Sequence, residues 1–347
     1  MRKAFIVTVE IFFLIFSFPV YFALAQTTNS TAPNIPSNYY SNLTSSVGQG
    51  GINLSISPQY SSPGEAVSFS LQDFQNDLNT ATIVWIVNGT KISSGVGDTS
   101  LQITAGSANK AEIIKAIITF QNGTIITKNI TIIPSTVDLL WQAHSYTPPF
   151  YLGKALFPYQ GNLTITAMPS FSLSNPSDAI YSWKVDDQVM SGVSGFGKNT
   201  ITLTGSILLK PINITVIATS LDGKQSAENS ISLTGTSPSV IFYQESPLYG
   251  LLLNKALGPN ITINNQVGLN AIPYFFDTSD PYTPNTSFSW AMNNQTIAGQ
   301  SGQILNVAPP PSQNGNSTVS VSVTNNTKAF QTGSASIGIN FGTGSNG

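Results

Sequence analysis

After residue 25 the chain shows no sustained apolar stripe at helical spacing; apolar and polar residues alternate in short runs instead. Ile52-Asn53-Leu54-Ser55-Ile56 places every second side chain on one face, and Val67, Phe69 and Leu71 do the same between Ser68 and Ser70. A turn at Ser62-Pro63-Gly64-Glu65 separates the two. Ala116–Phe120 leads into Asn122-Gly123, a pair that favours a type I′ hairpin turn, and Thr124–Ile133 returns from it. The same grammar recurs twice. Leu163, Ile165 and Ala167 alternate, Ile212–Thr219 is followed by Asp222-Gly223, and Ser230–Leu233 closes. Val319, Val321 and Val323 alternate with serines, Asn325-Asn326 turns, and Ala335–Phe341 closes. Only Ala108–Ala116 has the composition of a short helix. The pattern predicts an all-β protein.

Three tryptophans give the repeat its length. Trp85, Trp183 and Trp290 each sit in an alternating strand that ends in an Asn- or Asp-rich turn: Asn88-Gly89, Asp186-Asp187 and Asn293-Asn294. A glycine follows each at Gly95, Gly192 and Gly299. The tryptophans are roughly a hundred residues apart, the size of one immunoglobulin-like sandwich, whose core is keyed by a tryptophan on its third strand. The predicted architecture is three tandem immunoglobulin-like β-sandwich domains after an N-terminal signal peptide. Its divisions are a signal peptide or anchor at 1–25, a linker at 26–50, domains at 51–135, 136–236 and 237–342, and a tail at 343–347.

The N-terminus points to export. Arg2 and Lys3 precede an apolar run from Ala4 to Ala25, and Ala23-Leu24-Ala25 before Gln26 fits a small-residue cleavage site. The run is almost long enough to span a bilayer, so an uncleaved anchor is the alternative, and membrane contact is expected only in that case. A pilin-type N-terminus is the third reading, because Glu10 interrupts the run. Residues 26–50 lack periodicity and are rich in turn formers. An extracellular or cell-surface location follows from this leader. The absence of cysteine means that each sandwich must stand on its own core.

Charge narrows the function classes. Only 8% of residues are charged, against about 25% in an average soluble protein. The only arginine is Arg2, so no guanidinium fork and no basic patch exist for phosphate, and nucleic acid is not an expected partner. Catalysis is equally hard to build. His144 is the only histidine and no cysteine is present, which removes the usual zinc sites. Gly192-Val193-Ser194-Gly195 only approaches a nucleophile elbow. The adjacent carboxylates Asp186-Asp187 fall on a hairpin turn that favours Asp anyway. The chain reads as a non-enzyme without a cofactor. Asp277 and Asp280, with Asn285 nearby, are weak calcium candidates, two carboxylates without a third.

The second and third domains share features that the first lacks. Leu140-Trp141-Gln142 is matched by Phe242-Tyr243-Gln244, Gly153-Lys154-Ala155-Leu156 by Asn254-Lys255-Ala256-Leu257, and Ala167-Met168-Pro169 by Ala271-Ile272-Pro273. Both domains therefore carry an insertion between their first two strands. In the second domain it is dense in aromatics: Trp141, Tyr146, Phe150, Tyr151, Phe157 and Tyr159. The third keeps Tyr243 and Tyr249. Such rings either stack on a partner or sugar, or join one domain to the next. Thirteen Asn-x-Ser/Thr sequons run from Asn29 to Asn325. Placing Asn129 and Asn213 in strands favours chance over glycan acceptors.

With Ser62-Pro63-Gly64-Glu65-Ala66-Val67, the three tryptophan strands and the closing hairpins, the chain resembles the bacterial immunoglobulin-like and PKD-type β-sandwich repeats of cell-surface proteins. PKD domains usually carry a Gly-Asp-Gly turn after the tryptophan strand, which none of the three turns here matches. The resemblance implies a spacer, an adhesin or a component of a surface appendage or layer, with an unknown surface protein or glycan as partner. The alternative is a carbohydrate-binding protein that uses the aromatic insertion of the second domain.

Overall fold

The computed structural model describes residues 51–342 apart from Ser172, Leu208, Leu209, Ser312 and Gln313. The expected signal peptide, linker and tail lie outside the described residues. No described helix is long and apolar enough to cross a membrane. The chain is all-β, arranged as pairs of sheets with immunoglobulin-like order.

The first pair holds β1 (Asn53–Ser57), β2 (Ala66–Gln72), β3 (Thr82–Val87), β4 (Thr90–Val96), β5 (Ser100–Thr104), β6 (Glu112–Thr119) and β7 (Ile125–Ile132). The sheets are β1-β2-β5 and β4-β3-β6-β7, antiparallel throughout. In the immunoglobulin constant arrangement the fourth strand belongs to the first sheet; here it pairs with the tryptophan strand instead.

The second pair holds β8 (Val137–Ala143), β9 (Asn162–Pro169), β10 (Ala179–Val185), β11 (Gln188–Val189), β12 (Gly195–Phe196), β13 (Thr200–Thr204), β14 (Ile212–Ser220) and β15 (Ser226–Leu233). Its sheets are β13-β9-β8 and β11-β10-β14-β15, with β12 also on β10.

The third holds β16 (Ser239–Ser246), β17 (Gly250–Leu251), β18 (Asn260–Ile263), β19 (Val267–Tyr274), β20 (Thr286–Met292), β21 (Gln295–Thr296), β22 (Ile304–Val307), β23 (Gly315–Asn325) and β24 (Thr332–Phe341). Its sheets are β17-β16-β19-β22 and β18-β24-β23-β20-β21, and β18 runs parallel to β24.

Each sheet pair encloses its own apolar cluster. Trp85, Trp183 and Trp290 lie in β3, β10 and β20 and are fully buried. Each indole N–H donates to a backbone carbonyl, of Asp98, Lys198 and Gly302 respectively, at 2.8 Å. Burying an indole without that bond would strand a donor in an apolar core. Alternation does the rest. In β2, Val67, Phe69 and Leu71 face inward and the serines face water.

The three turns after the tryptophan strands have positive φ at both central residues: Asn88 and Gly89, Asp186 and Asp187, Asn293 and Asn294. These are type I′ turns, which Asn, Asp and Gly tolerate best. The Asn122-Gly123 turn differs from expectation. Only Gly123 has positive φ, and Gly123 N–H donates to Phe120 O while Phe120 N–H donates to Thr124 O. This is a longer loop with a left-handed glycine, set by the extra residue between the strands. The expected short helix at Ala108–Ala116 is also absent. Its second half enters β6, because Ile114, Ala116 and Ile118 alternate inward at period two. Three 3-10 turns, at Leu78–Thr80, Pro176–Asp178 and Ser191–Val193, are the helical elements among the described residues.

Candidate functional site

The aromatic insertion of the second sandwich spans 144–161, between β8 and β9, and it reaches the third. Tyr146 makes a two-bond backbone bridge: its N–H donates to Phe276 O and its C=O accepts from Phe275 N–H, both at 2.7 Å. These two bonds tie the backbones of two sandwiches together at Tyr146.

Beyond these bonds, the insertion covers the outward face of β16 and β19. Phe150 meets Tyr243 edge to face at 5.5 Å. Tyr151 meets Tyr274 at 5.7 Å and Phe275 at 5.6 Å, also edge to face. Tyr146 stands against Tyr282 at 6.2 Å. Tyr243, Ile272, Tyr274 and Phe275 form a separate apolar cluster outside the third core, with Phe150 and Tyr151 packed on it. The hydroxyls of Tyr243 and Tyr274 bond each other at 3.1 Å within it. Burial, and then the bond to Tyr243, push the Tyr274 phenol well above its ordinary range. Burial, followed by a bond to Tyr146, does the same to Tyr282.

A polar seam runs beside the aromatic one. Asp277 pairs with Lys328 at 3.1 Å, with side chains 7% and 28% exposed. Lys328 Nζ also donates to Gln160 O at 3.2 Å, and Gln331 Nε2 donates to Tyr159 O at 2.7 Å. Gln331 Oε1 in turn accepts from Asp277 N–H at 2.9 Å. Asn162 approaches the Asp277 carboxylate at 3.4 and 3.5 Å. Lys328 and Gln331, on the β23–β24 turn, thus grip the backbone of the second sandwich while Asp277 orients Lys328. The first and second sandwiches meet differently. Asn109 donates to Ser170 O and accepts from Gln225 Nε2, both at 2.8 Å. No aromatic pair spans that joint among the described residues.

The other candidate residues fall as follows. Trp141 packs on the second core, and Lys154 Nζ lies 3.3 Å from its ring centroid, so a cation occupies that face. Tyr249 is 78% exposed, beside Leu248 at 79%, and takes no part in the joint. The insertion of the third sandwich instead places Leu251 and Ala256 on the same apolar cluster.

The expected residue matching also slips by one. Ala167 stands opposite Leu139, whereas Ala271 stands opposite Phe242. Leu139-Leu140-Trp141 is thus the true counterpart of Phe242-Tyr243-Gln244. A one-residue slip exchanges the faces of a strand. Leu140, not Trp141, is the counterpart of the outward Tyr243, and it is 59% exposed.

Asp277 and Asp280 turn to separate partners. Asp280 accepts from Tyr282 N–H at 2.9 Å while Asp277 serves the seam. His144 Nε2 bonds Thr164 Oγ1 at 2.7 Å on the polar outer face of the second sandwich. Asp186 accepts from Lys210 and from Asn213 N–H on its turn. Sequence reasoning missed Asp277–Lys328 and Gln331 as joint residues. A lone lysine and glutamine on a hairpin turn carry no signal without the neighbouring sandwich.

No family model matches the sequence, and no curated protein matches it. Several solved structures are similar to the chain. The Clostridium thermocellum CbhA fibronectin(III)-like modules are 18% identical, with a TM-score of 0.27, covering 53% of this chain and 94% of that one. The three N-terminal domains of the bacteriophage RB49 highly immunogenic outer capsid protein (Hoc) are 11% identical, with a TM-score of 0.26, covering 84% and 98%. The central fibronectin-III array of RIM-binding protein is 12% identical, with a TM-score of 0.30, covering 82% and 94%.

Proposed function

We propose that this chain is an exported, non-enzymatic structural protein of a cell surface, a spacer or assembly component whose second and third sandwiches work as one stiff segment. The observation that carries this reading is the insertion at 144–161, whose Phe150 and Tyr151 are spent edge-to-face on the third sandwich. A buried aromatic contributes several kcal/mol through the apolar area it removes from water. Two of them, with the Tyr146 backbone bonds and the Lys328 seam, resist hinge motion that a bare linker would allow. The charge-poor surface supports a role outside the cell, since few groups on it titrate or respond to salt.

A sugar platform would hold ring faces side by side and open to water. In this insertion the rings meet protein edges, and the Trp141 face carries Lys154. The test is the double variant Phe150→Ser/Tyr151→Ser. It should lower the melting temperature of the second and third sandwiches and broaden the distance distribution between spin labels placed on them. An unchanged melting profile together with lost binding on a glycan array would replace the spacer reading with the carbohydrate-binding one.

A further inference from the structure

The three tryptophan strands differ along one edge. In the first sandwich β4 covers the start of β3, with Thr82 opposite Val96 and Ile83 opposite Gly95. In the second, β12 covers the same stretch of β10, with Ile180 opposite Phe196 and Tyr181 opposite Gly195. In the third, β21 reaches only Ala291 and Met292. Counted from the tryptophans, Ser287 and Phe288 stand where those covered residues stand, and no described strand lies beside them on that side.

The indole bond spans 13, 15 and 12 residues in the three sandwiches, so the third connection is the shortest. In it Gly299, at φ +78, turns the chain after β21, and the next strand, β22, lies in the other sheet.

The backbone at this edge is arranged for a strand. Asn285 O accepts from Asn326 N–H and Asn293 N–H donates to Thr318 O, so odd-numbered residues bond toward β23. Thr286 N–H donates to Thr283 O, and Trp290 O accepts from Ile297 N–H, so even-numbered residues face the other way. The Phe288 N–H and C=O therefore point to the uncovered edge, with the Thr286 C=O and the Trp290 N–H beside them.

A groove of about 460 Å³ is lined by Thr286, Ser287 and Phe288 of this edge together with Tyr282, Ser301 and Gln303. Thr286, 7% exposed, lines it with a buried Oγ1 that has no hydrogen-bond partner. Such a group is rare in a settled fold and marks a place where a partner is expected. Tyr282 is backed by Phe288, stacked at 6.3 Å, and remains 43% exposed.

We infer that this edge accepts an extended, uncharged peptide strand supplied by residues 38–47 of a second copy of this chain. A row of alternating backbone donors and acceptors is read by another backbone, the principle of strand addition. No lining residue is a Lys, Arg, Asp or Glu, and the segment Asn38-Tyr39-Tyr40-Ser41-Asn42-Leu43-Thr44-Ser45-Ser46-Val47 contains none either. Extended, ten residues span about 33 Å, more than this edge requires. The segment precedes the first sandwich and the groove lies in the third, so insertion between copies links them head to tail. This deepens the proposed role as an assembly component and rests on it.

The test compares the chain from Gln26 on with one starting at residue 51, by sedimentation over a wide concentration range. The longer chain should form concentration-dependent oligomers and the shorter should stay monomeric. Ser301→Trp, on an exposed residue, should fill the groove and abolish the oligomers without lowering the melting temperature. Added to the shorter chain, a synthetic 38–47 peptide should slow amide exchange at Phe288 and Trp290, and a copy N-methylated at alternate positions should bind at least about tenfold more weakly. A longer chain that remains monomeric, or oligomers that survive either the truncation or Ser301→Trp, would overturn the inference. So would a groove that takes a neutral sugar and not the peptide. None of these outcomes touches the joint measured with Phe150 and Tyr151.

Discussion

At the residue scale, the three tryptophans show how a single side chain holds a small core without disulfides. Each fills the centre of its cluster and ties its N–H to the loop that leads into the next strand of the opposite sheet. Replacing any one with alanine removes packing and strands a backbone carbonyl. The expected cost is on the order of 3–5 kcal/mol. Calorimetry of Trp85→Ala, Trp183→Ala and Trp290→Ala should show one transition moved to low temperature and the others nearly in place. A uniform shift of the whole profile would mean that the sandwiches melt as one unit. The polar seam is a second test at this scale. Lys328→Met removes a cation from a carboxylate that is 7% exposed. It should destabilise the third sandwich by about 1.5–3 kcal/mol, the range for a bond to a charged group, and Asp277→Asn in the same chain should recover part of the loss.

At the scale of elements, alternation and turn chemistry made most of the strands legible. Where an apolar residue recurs at period two and a left-handed turn follows, the sequence leaves few options; the serine–valine run of β23 is the clearest case. The failures have local causes. Ala108–Ala116 reads as helix because alanine and lysine favour one, yet its isoleucines are spaced for a sheet and burial decides. The match between the second and third sandwiches slipped by one because sequence similarity weighs aromatics, whereas the fold weighs which face they occupy. Trp141 faces its own core and Tyr243 faces the neighbour. The aromatic insertion was visible as a cluster, but its target was not. The outward face of β16 and β19 is apolar only through Ile241, Tyr243, Ile272 and Tyr274, in strands that are apolar on both faces. A doubly apolar strand in an otherwise alternating chain is the signal that would have located the joint.

At the scale of the whole molecule, the parallel pairing of β18 with β24 bears on how the protein yields to force. Asn260 to Ile263 lie beside Gly338 to Phe341 in parallel register. A pull applied through the two chain ends first meets β16; once β16 leaves β19, the pull enters β18 at one end of this ladder and leaves β24 at the other. The bonds are then loaded along the strands together, in shear, rather than peeled one after another. The second sandwich has a single parallel bridge of this kind, Pro158 beside Thr236, and the first has none among the described residues. Stretched in an atomic force microscope, the chain should therefore yield in a fixed order, with the third sandwich last and at the highest force. Three equal peaks would show that the ladder bears no load. A molecule tethered at one end and tugged at the other would extend by giving up its first sandwich, a sacrificial element that spares the other two.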